Sequence, residues 1–272
     1  MVKEISIESL LVKNRKFKNL HAGKRCFILG NGPSLKQVDL SLLADEFVFS
    51  TNNFSFVNGF EKAKTNVHLW MDLAFFDLRN DLKFNMEKIL NNYHRIAEQN
   101  PICFVDVRGF NFIKQHRLDE SLNINYLYIG YGDITKNASI FLDIDRPISG
   151  FHTVVQYAIA VAIYMGFKEI YLLGCDSTGI LDTINTALNI PIIDDHAYHD
   201  EDTENNQMQL IKNLGMSKLF FSHYGLFVGY DKLSYVCNKI LNIKLMNCSA
   251  KTIITSIPRI NLETVLNTSN VV

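Results

Sequence analysis

Arg25-Cys26-Phe27-Ile28-Leu29-Gly30-Asn31-Gly32-Pro33-Ser34-Leu35-Lys36 is the stretch on which the fold turns. A short apolar run ends in glycine, and runs of this kind are central strands of parallel sheets, buried on both faces. The glycines let the backbone turn sharply and let a ligand approach it closely. Residues 34–43 have helical character, with Ser34 placed to cap the first turn. A helix starting there would direct unpaired N–H groups and the positive end of its dipole at the loop, which suits a phosphate or another anion. The loop is not a Walker loop, because no Lys-Ser/Thr follows. It is not G-x-G-x-x-G either, because Leu35 fills the third glycine place.

Working outward, residues 47–52, 66–72 and 102–106 read as further strands, with another near 126–129. Residues 81–99 read as a surface helix. Residues 153–165 form a strongly apolar helical run that Gly166 ends, and 168–174 follow as a strand. That helix–glycine–strand unit fits the right-handed crossover of a doubly wound sheet. Residues 177–222 are polar and acidic, and an irregular insertion after a strand's carboxyl end is commonly a functional loop. A helix over 230–241, a last strand over 243–247 and a short tail helix complete the pattern. The expected fold is α/β: a Rossmann-like, doubly wound, mostly parallel sheet with an inserted lid. Its parts are a helical lead-in (1–24), a nucleotide-binding core (25–176), the lid (177–228) and the rest of the core (229–272).

Composition excludes several classes. The chain has 272 residues, 47% of them hydrophobic, enough for a substantial core. Its formal net charge of −1 gives no electrostatic case for nucleic acid as the main partner. Five cysteines, Cys26, Cys103, Cys175, Cys237 and Cys248, show no CxxC pair, so neither a disulfide framework nor a zinc ribbon is expected. The opening residues lack the apolar core of a secretory signal, and the longest apolar stretch, 154–167, is too short to span a bilayer. A cytoplasmic location follows as an expectation, with any contact with the inner face of the membrane peripheral. Homo-oligomerisation stays open.

Parallel sheets gather ligand groups at the carboxyl ends of their strands. Those ends carry Gly30, Asn31, Gly32 and Ser34, then Asn52 and Asn53, then Asp72, and later Gly174, Asp176, Ser177 and Thr178. That is more polar functionality than tight turns need.

Three blocks also carry a family resemblance. Residues 25–36 resemble the opening strand and G-N-G-P-S-L-K loop of the bacterial lipooligosaccharide sialyltransferases, glycosyltransferase family forty-two. Asn52-Asn53-Phe54 resembles that family's Asn-Gln-Phe, and residues 166–176, GFKEIYLLGCD, resemble its G-Y-K-E-I-Y-L-S-G-I-D. The blocks occur in the family's order, and with a weaker C-terminal block the resemblance covers about a third of the chain. They also resemble a wider group that includes the motility-accessory-factor glycosyltransferases and 6-hydroxymethylpterin diphosphokinase-like proteins. The resemblance implies that Asn31 and Asn52 contact a cytidine nucleotide and that Thr153 contacts the donor. Met71 or Asp72 stands where the family has a third asparagine. Ser177 and Thr178 stand where it has phosphate-holding tyrosines, the nearest tyrosine being Tyr198. The family's histidine base is best matched by His223, in Ser222-His223-Tyr224.

The implied reaction moves a sugar, sialic acid or a related keto-sugar, from a CMP-type donor to a surface-glycan acceptor. His223 would be the base, and Tyr198 or Tyr224 would donate to the phosphate. No cofactor is required. His196 and His199, among Asp194, Asp195, Asp200 and Asp202, are weak candidates for a divalent metal, and a solvated acidic loop is the alternative. Two other readings stay open. One is a magnesium-dependent diphosphokinase that moves diphosphate from ATP to a pterin, with Asp72, Asp176 and the acidic lid as ligands. The other is a non-catalytic nucleotide-sugar binding protein.

Overall fold

Strand β1, Arg25–Leu29, alternates its side chains between two apolar layers. Cys26 and Ile28 face one cluster and Phe27 and Leu29 the other, all of them 0% exposed, as the period of two in a doubly covered sheet requires. Around it lie β2 (Val48–Thr51), β3 (Thr65–Trp70), β4 (Ile102–Asp106) and β5 (Asn123–Leu127) on one side. On the other side lie β8 (Glu169–Leu173) and β9 (Lys244–Asn247). The spatial order is β5-β4-β3-β2-β1-β8-β9, and every pairing is parallel. Two short strands, β6 (Ile129–Gly130) and β7 (Ile148–Ser149), pair separately. The computed structural model describes residues 6–79, 85–191, 196–198 and 203–267. The seven-stranded sheet is thus the expected Rossmann-like α/β architecture, and the order reverses between β1 and β8, where such sheets bind ligands.

Helix α5, Val154–Tyr164, packs on the Cys26/Ile28 face and is buried almost all round, which is why its sequence shows no polar stripe. Gly166, at φ +91°, ends it where a side chain would press within about 3.0 Å of the Asn19 backbone. The lead-in helix α1 (Ile7–Leu11) sends Leu10 and Leu11 into the core. Helix α2 (Met86–Ala97) covers the β3–β4 region through Ile89, Tyr93 and Ile96. Shorter helices, α3 (Phe110–Gln115), α4 (Ala138–Phe141) and α9 (Leu262–Asn267), complete the cover. All five cysteines are buried as free thiols. Among the described residues no helix is long and apolar enough to cross a membrane.

Two expectations need correction. The segment after the glycine loop is not a regular helix: it forms two 3₁₀ turns, Pro33–Gln37 and Leu40–Leu43. Gly32, not Ser34, takes the cap position of the first, and Asp39 caps the second by accepting from the Ser41 N–H at 3.1 Å. With so few aligned peptides, the dipole argument for a phosphate at this loop lapses. The region expected to be an irregular lid is largely helical: α6 (Gly179–Ala187), α7 (Thr203–Leu214) and α8 (Met216–Tyr235). Helix α8 runs on through a π turn, Val236–Leu241, to Asn242 at φ +51°. It crosses position 228, where the lid was expected to end, and it puts His223 in mid-helix rather than in a loop before a helix.

Candidate functional site

The β1 and β8 ends interlock. The Gly30 N–H donates to the Leu173 carbonyl and the Gly32 N–H to the Gly174 carbonyl, both at 2.8 Å. Gly174 lies at φ +61°, and a side chain there would sit 2.8 Å from the Gly30 carbonyl oxygen. Side chains at Gly30 or Gly32 would lie 2.5 and 2.7 Å from the Gly174 carbonyl oxygen. These glycines therefore serve first to let two strand-end loops touch. Asp176, 1% exposed, locks the arrangement: its carboxylate accepts from the Ser34 N–H at 2.7 Å and from the Ser34 hydroxyl.

Above this junction opens a cleft of about 430 Å³. Its walls are Gly30–Pro33 after β1, Thr51–Asn53 after β2, Asp72 after β3, and residues 174–179 after β8. Lys88 of α2, Thr153 at the head of α5, Leu226 and Tyr230 of α8, and His196 and Tyr198 also line it. The structure thus brings Gly30, Asn31, Gly32, Asn52, Asp72, Thr153, Gly174, Asp176, Ser177, Thr178, His196 and Tyr198 to one site. Ser34 is buried behind it. Tyr224 is 63% exposed, lies beside Phe221, and is not part of the lining. His223 does not line the cleft either: it packs between helices, with Nε2 3.4 Å from the Thr183 hydroxyl of α6. Burial lowers its pKa and keeps the ring neutral. His199, Asp194, Asp195, Asp200 and Asp202 lie outside the described residues. Among the described residues no group of three or more His, Cys, Asp or Glu side chains could hold a metal ion. Asp72 caps its own turn, accepting from the Ala74 N–H at 3.0 Å.

The polar geometry of the cleft is lopsided. Asn31 donates from Nδ2 to the Thr51 carbonyl at 2.9 Å, which fixes its amide orientation and turns Oδ1 elsewhere. Asn31 Oδ1 and Asn52 Oδ1 are buried with no hydrogen-bond partner. These are two of the five such atoms among the described residues, and they sit at the ends of two adjacent strands, β1 and β2. An unmade buried hydrogen bond costs about 1–3 kcal/mol, so the clustering marks a place shaped for something other than stability. Asn52 and Ser177 add backbone strain at φ +47° and +56°.

Tyr198 accepts from Asn53 Nδ2 at 3.1 Å and stacks on His196, while the Ala197 N–H donates to the Asn31 carbonyl at 2.8 Å. Residues 196–198 are thereby fastened to both asparagine loops. Tyr230 was not singled out in the sequence, where it looks like one more aromatic in an apolar helix. Its hydroxyl is wholly buried at the cleft floor, where burial raises its pKa while the Ser177 and Thr153 side chains, hydrogen-bonding to it, pull the other way.

No family model and no curated protein matches the chain. Solved structures do. The sialyltransferase CstII from Campylobacter jejuni in complex with cytidine-5'-monophosphate is 22% identical, with 88% of this chain and 85% of that one covered, at a TM-score of 0.48. The same enzyme with CMP-3FNeuAc is 21% identical, covering 87% and 85%, at 0.40. The MAf glycosyltransferase from Magnetospirillum magneticum AMB-1 is 13% identical, with 96% of this chain and 40% of that chain covered, at 0.50. The last likeness shows a shared fold, over two-fifths of the larger protein.

Proposed function

We propose that the protein is a glycosyltransferase that moves a sugar from a CMP-type donor to a glycan acceptor. The observation that carries this reading is the pair of unpartnered amide oxygens, Asn31 Oδ1 and Asn52 Oδ1, at the carboxyl ends of β1, which borders the topological switch point, and of its neighbour β2. Two acceptors call for a ligand that brings donors. A nucleobase amino group and ribose hydroxyls do so, whereas a phosphate offers only acceptors at neutral pH. The sequence blocks that resemble family forty-two bear these same two asparagines.

The phosphate then belongs at the other wall, beside the Tyr230, Thr153 and Ser177 hydroxyls. In the reaction the acceptor oxygen bonds to the anomeric carbon as the bond from that carbon to the phosphate oxygen breaks, and CMP leaves. An attack from the far side inverts the anomeric centre. The acceptor's proton needs a base at the cleft, and His196 supplies it. His223, the sequence candidate, packs against Thr183 of α6 and does not line the cleft. The acceptor is a surface glycan, met on the cytoplasmic side of the membrane.

Calorimetry with CMP, UDP, GDP and ATP tests the donor assignment. CMP should bind most tightly. Asn31→Ala should weaken it by about tenfold or more, the loss of one hydrogen bond to a ligand together with the Thr51 tether. Tighter binding of ATP, or CMP affinity untouched by Asn31→Ala, would remove the reading.

A further inference from the structure

Asn92 stands in the middle of α2, outside the cleft lining, with a side chain 0% exposed. The rest of that buried face is Ile89, Tyr93 and Ile96, so a polar amide there carries a desolvation cost unless its hydrogen bonds are made. They are made. Oδ1 accepts from the Trp70 indole N–H at 2.7 Å, and Nδ2 donates to the Asn52 backbone carbonyl at 3.2 Å and to the Ser55 hydroxyl at 2.9 Å. One side chain thus ties the end of β3 to the turn that follows β2.

That turn is where Asn52 departs from ordinary backbone geometry, at φ +47°, with its own amide oxygen buried and unpaired at the cleft. Below it, Ser50 and His68 are register partners across β2 and β3, hydrogen-bonded at 2.6 Å. A left-handed asparagine is tolerated but not preferred, and it persists where its surroundings hold it. The Asn92 amide reaches the Asn52 carbonyl from α2, on a different element from the His68 ring, which meets the Asn52 backbone from β3.

We infer that Asn92 is a positioning residue: by gripping the Asn52 carbonyl and Ser55 against Trp70, it holds the left-handed turn that aims the Asn52 amide at the nucleotide. The inference rests on the cleft binding a nucleotide, and the test separates the two. Calorimetry with CMP is run on four full-length proteins: wild type, Asn92→Ala, Asn52→Gly and the double variant. Glycine adopts the left-handed turn unaided and has no side chain to aim. Asn92→Ala should therefore raise the CMP Kd about tenfold in the wild-type background and by less than about twofold when residue 52 is glycine. Equal losses in both backgrounds would mean general destabilisation and would overturn the inference, as would no loss at all. Asn92→Ser, which keeps a short polar group, is carried through the same cycle and decides by the same criteria if the alanine variant does not fold. If wild type binds no CMP, the nucleotide reading fails by itself. Positioning is then judged by deuterium uptake over residues 51–55. Faster uptake confined to that segment in the Asn92 variant sustains the inference, and unchanged uptake there overturns it.

Discussion

His68 carries a titratable ring where water does not reach. It is 0% exposed, with Nδ1 against Ser50 and the ring 4.1 Å from that of Trp70. Burial pushes its pKa down from 6.5 to about 3, offset in part by the Asn52 backbone. Below pH 6.5 the unfolded chain takes up a proton that the native state refuses until far lower pH. Stability is therefore complete above that value and falls as pH drops toward 3, by roughly 1.4 kcal/mol per unit, or about 2 kcal/mol by pH 5. Urea unfolding at pH 7 and pH 5 measures this, and His68→Gln should flatten the difference. An equal slope in that variant would assign the loss to other groups. A second residue-scale expectation concerns the base. His196→Ala should lower sugar transfer by about 10²–10⁴-fold with CMP affinity little changed, whereas His223→Ala should keep most of the turnover. The reverse pattern in a donor-turnover assay would restore His223 to the chemistry and mean that α6 and α8 rearrange when the donor binds.

At the scale of elements, the β1 and β8 loops act as one piece. Gly174→Ala adds both a strained φ and a contact 2.8 Å from the Gly30 carbonyl, so it should cost about 2–4 kcal/mol and abolish CMP binding. Gly23→Ala is the control: φ is +79° but nothing lies within 4 Å, so only about 1 kcal/mol is expected. Similar losses at the two positions in chemical denaturation would mean that the close approach contributes little. This junction was legible in the sequence because each side is a contiguous apolar strand ending in glycine, and strand ends in a parallel sheet converge. Helix α6 was not, because it buries Thr183 and Thr186 and exposes Leu181, so no apolar stripe marks its inner face. That His223 lies inside a helix could not be read either: α8 is apolar on several sides and gives no period from which its start could be found. Tyr230 and Asn92 were invisible because their roles come from partners far away in the chain, Ser177 and Thr153 for one, Trp70 and Asn52 for the other.

For the whole molecule, a ligand that binds only the native state raises its stability. CMP at about a hundred times its Kd should add roughly 2.7 kcal/mol, which for a chain of this size raises Tm by about 5–10 °C. A chelator should leave that shift intact, since Asp176 is engaged by Ser34 and Asp72 caps its own turn. A shift that disappears with chelator and returns with magnesium would favour the diphosphokinase reading. The strand order also sets a timetable. Leu29 pairs with Leu173, so the cleft that residue 30 begins has no second wall until more than half of the chain has followed it out of the ribosome. Until then β1 stands as an open sheet edge, with unpaired backbone groups on offer to any neighbouring chain. Synthesis that stalls before β8 leaves a fragment in which the cleft is still missing its second wall.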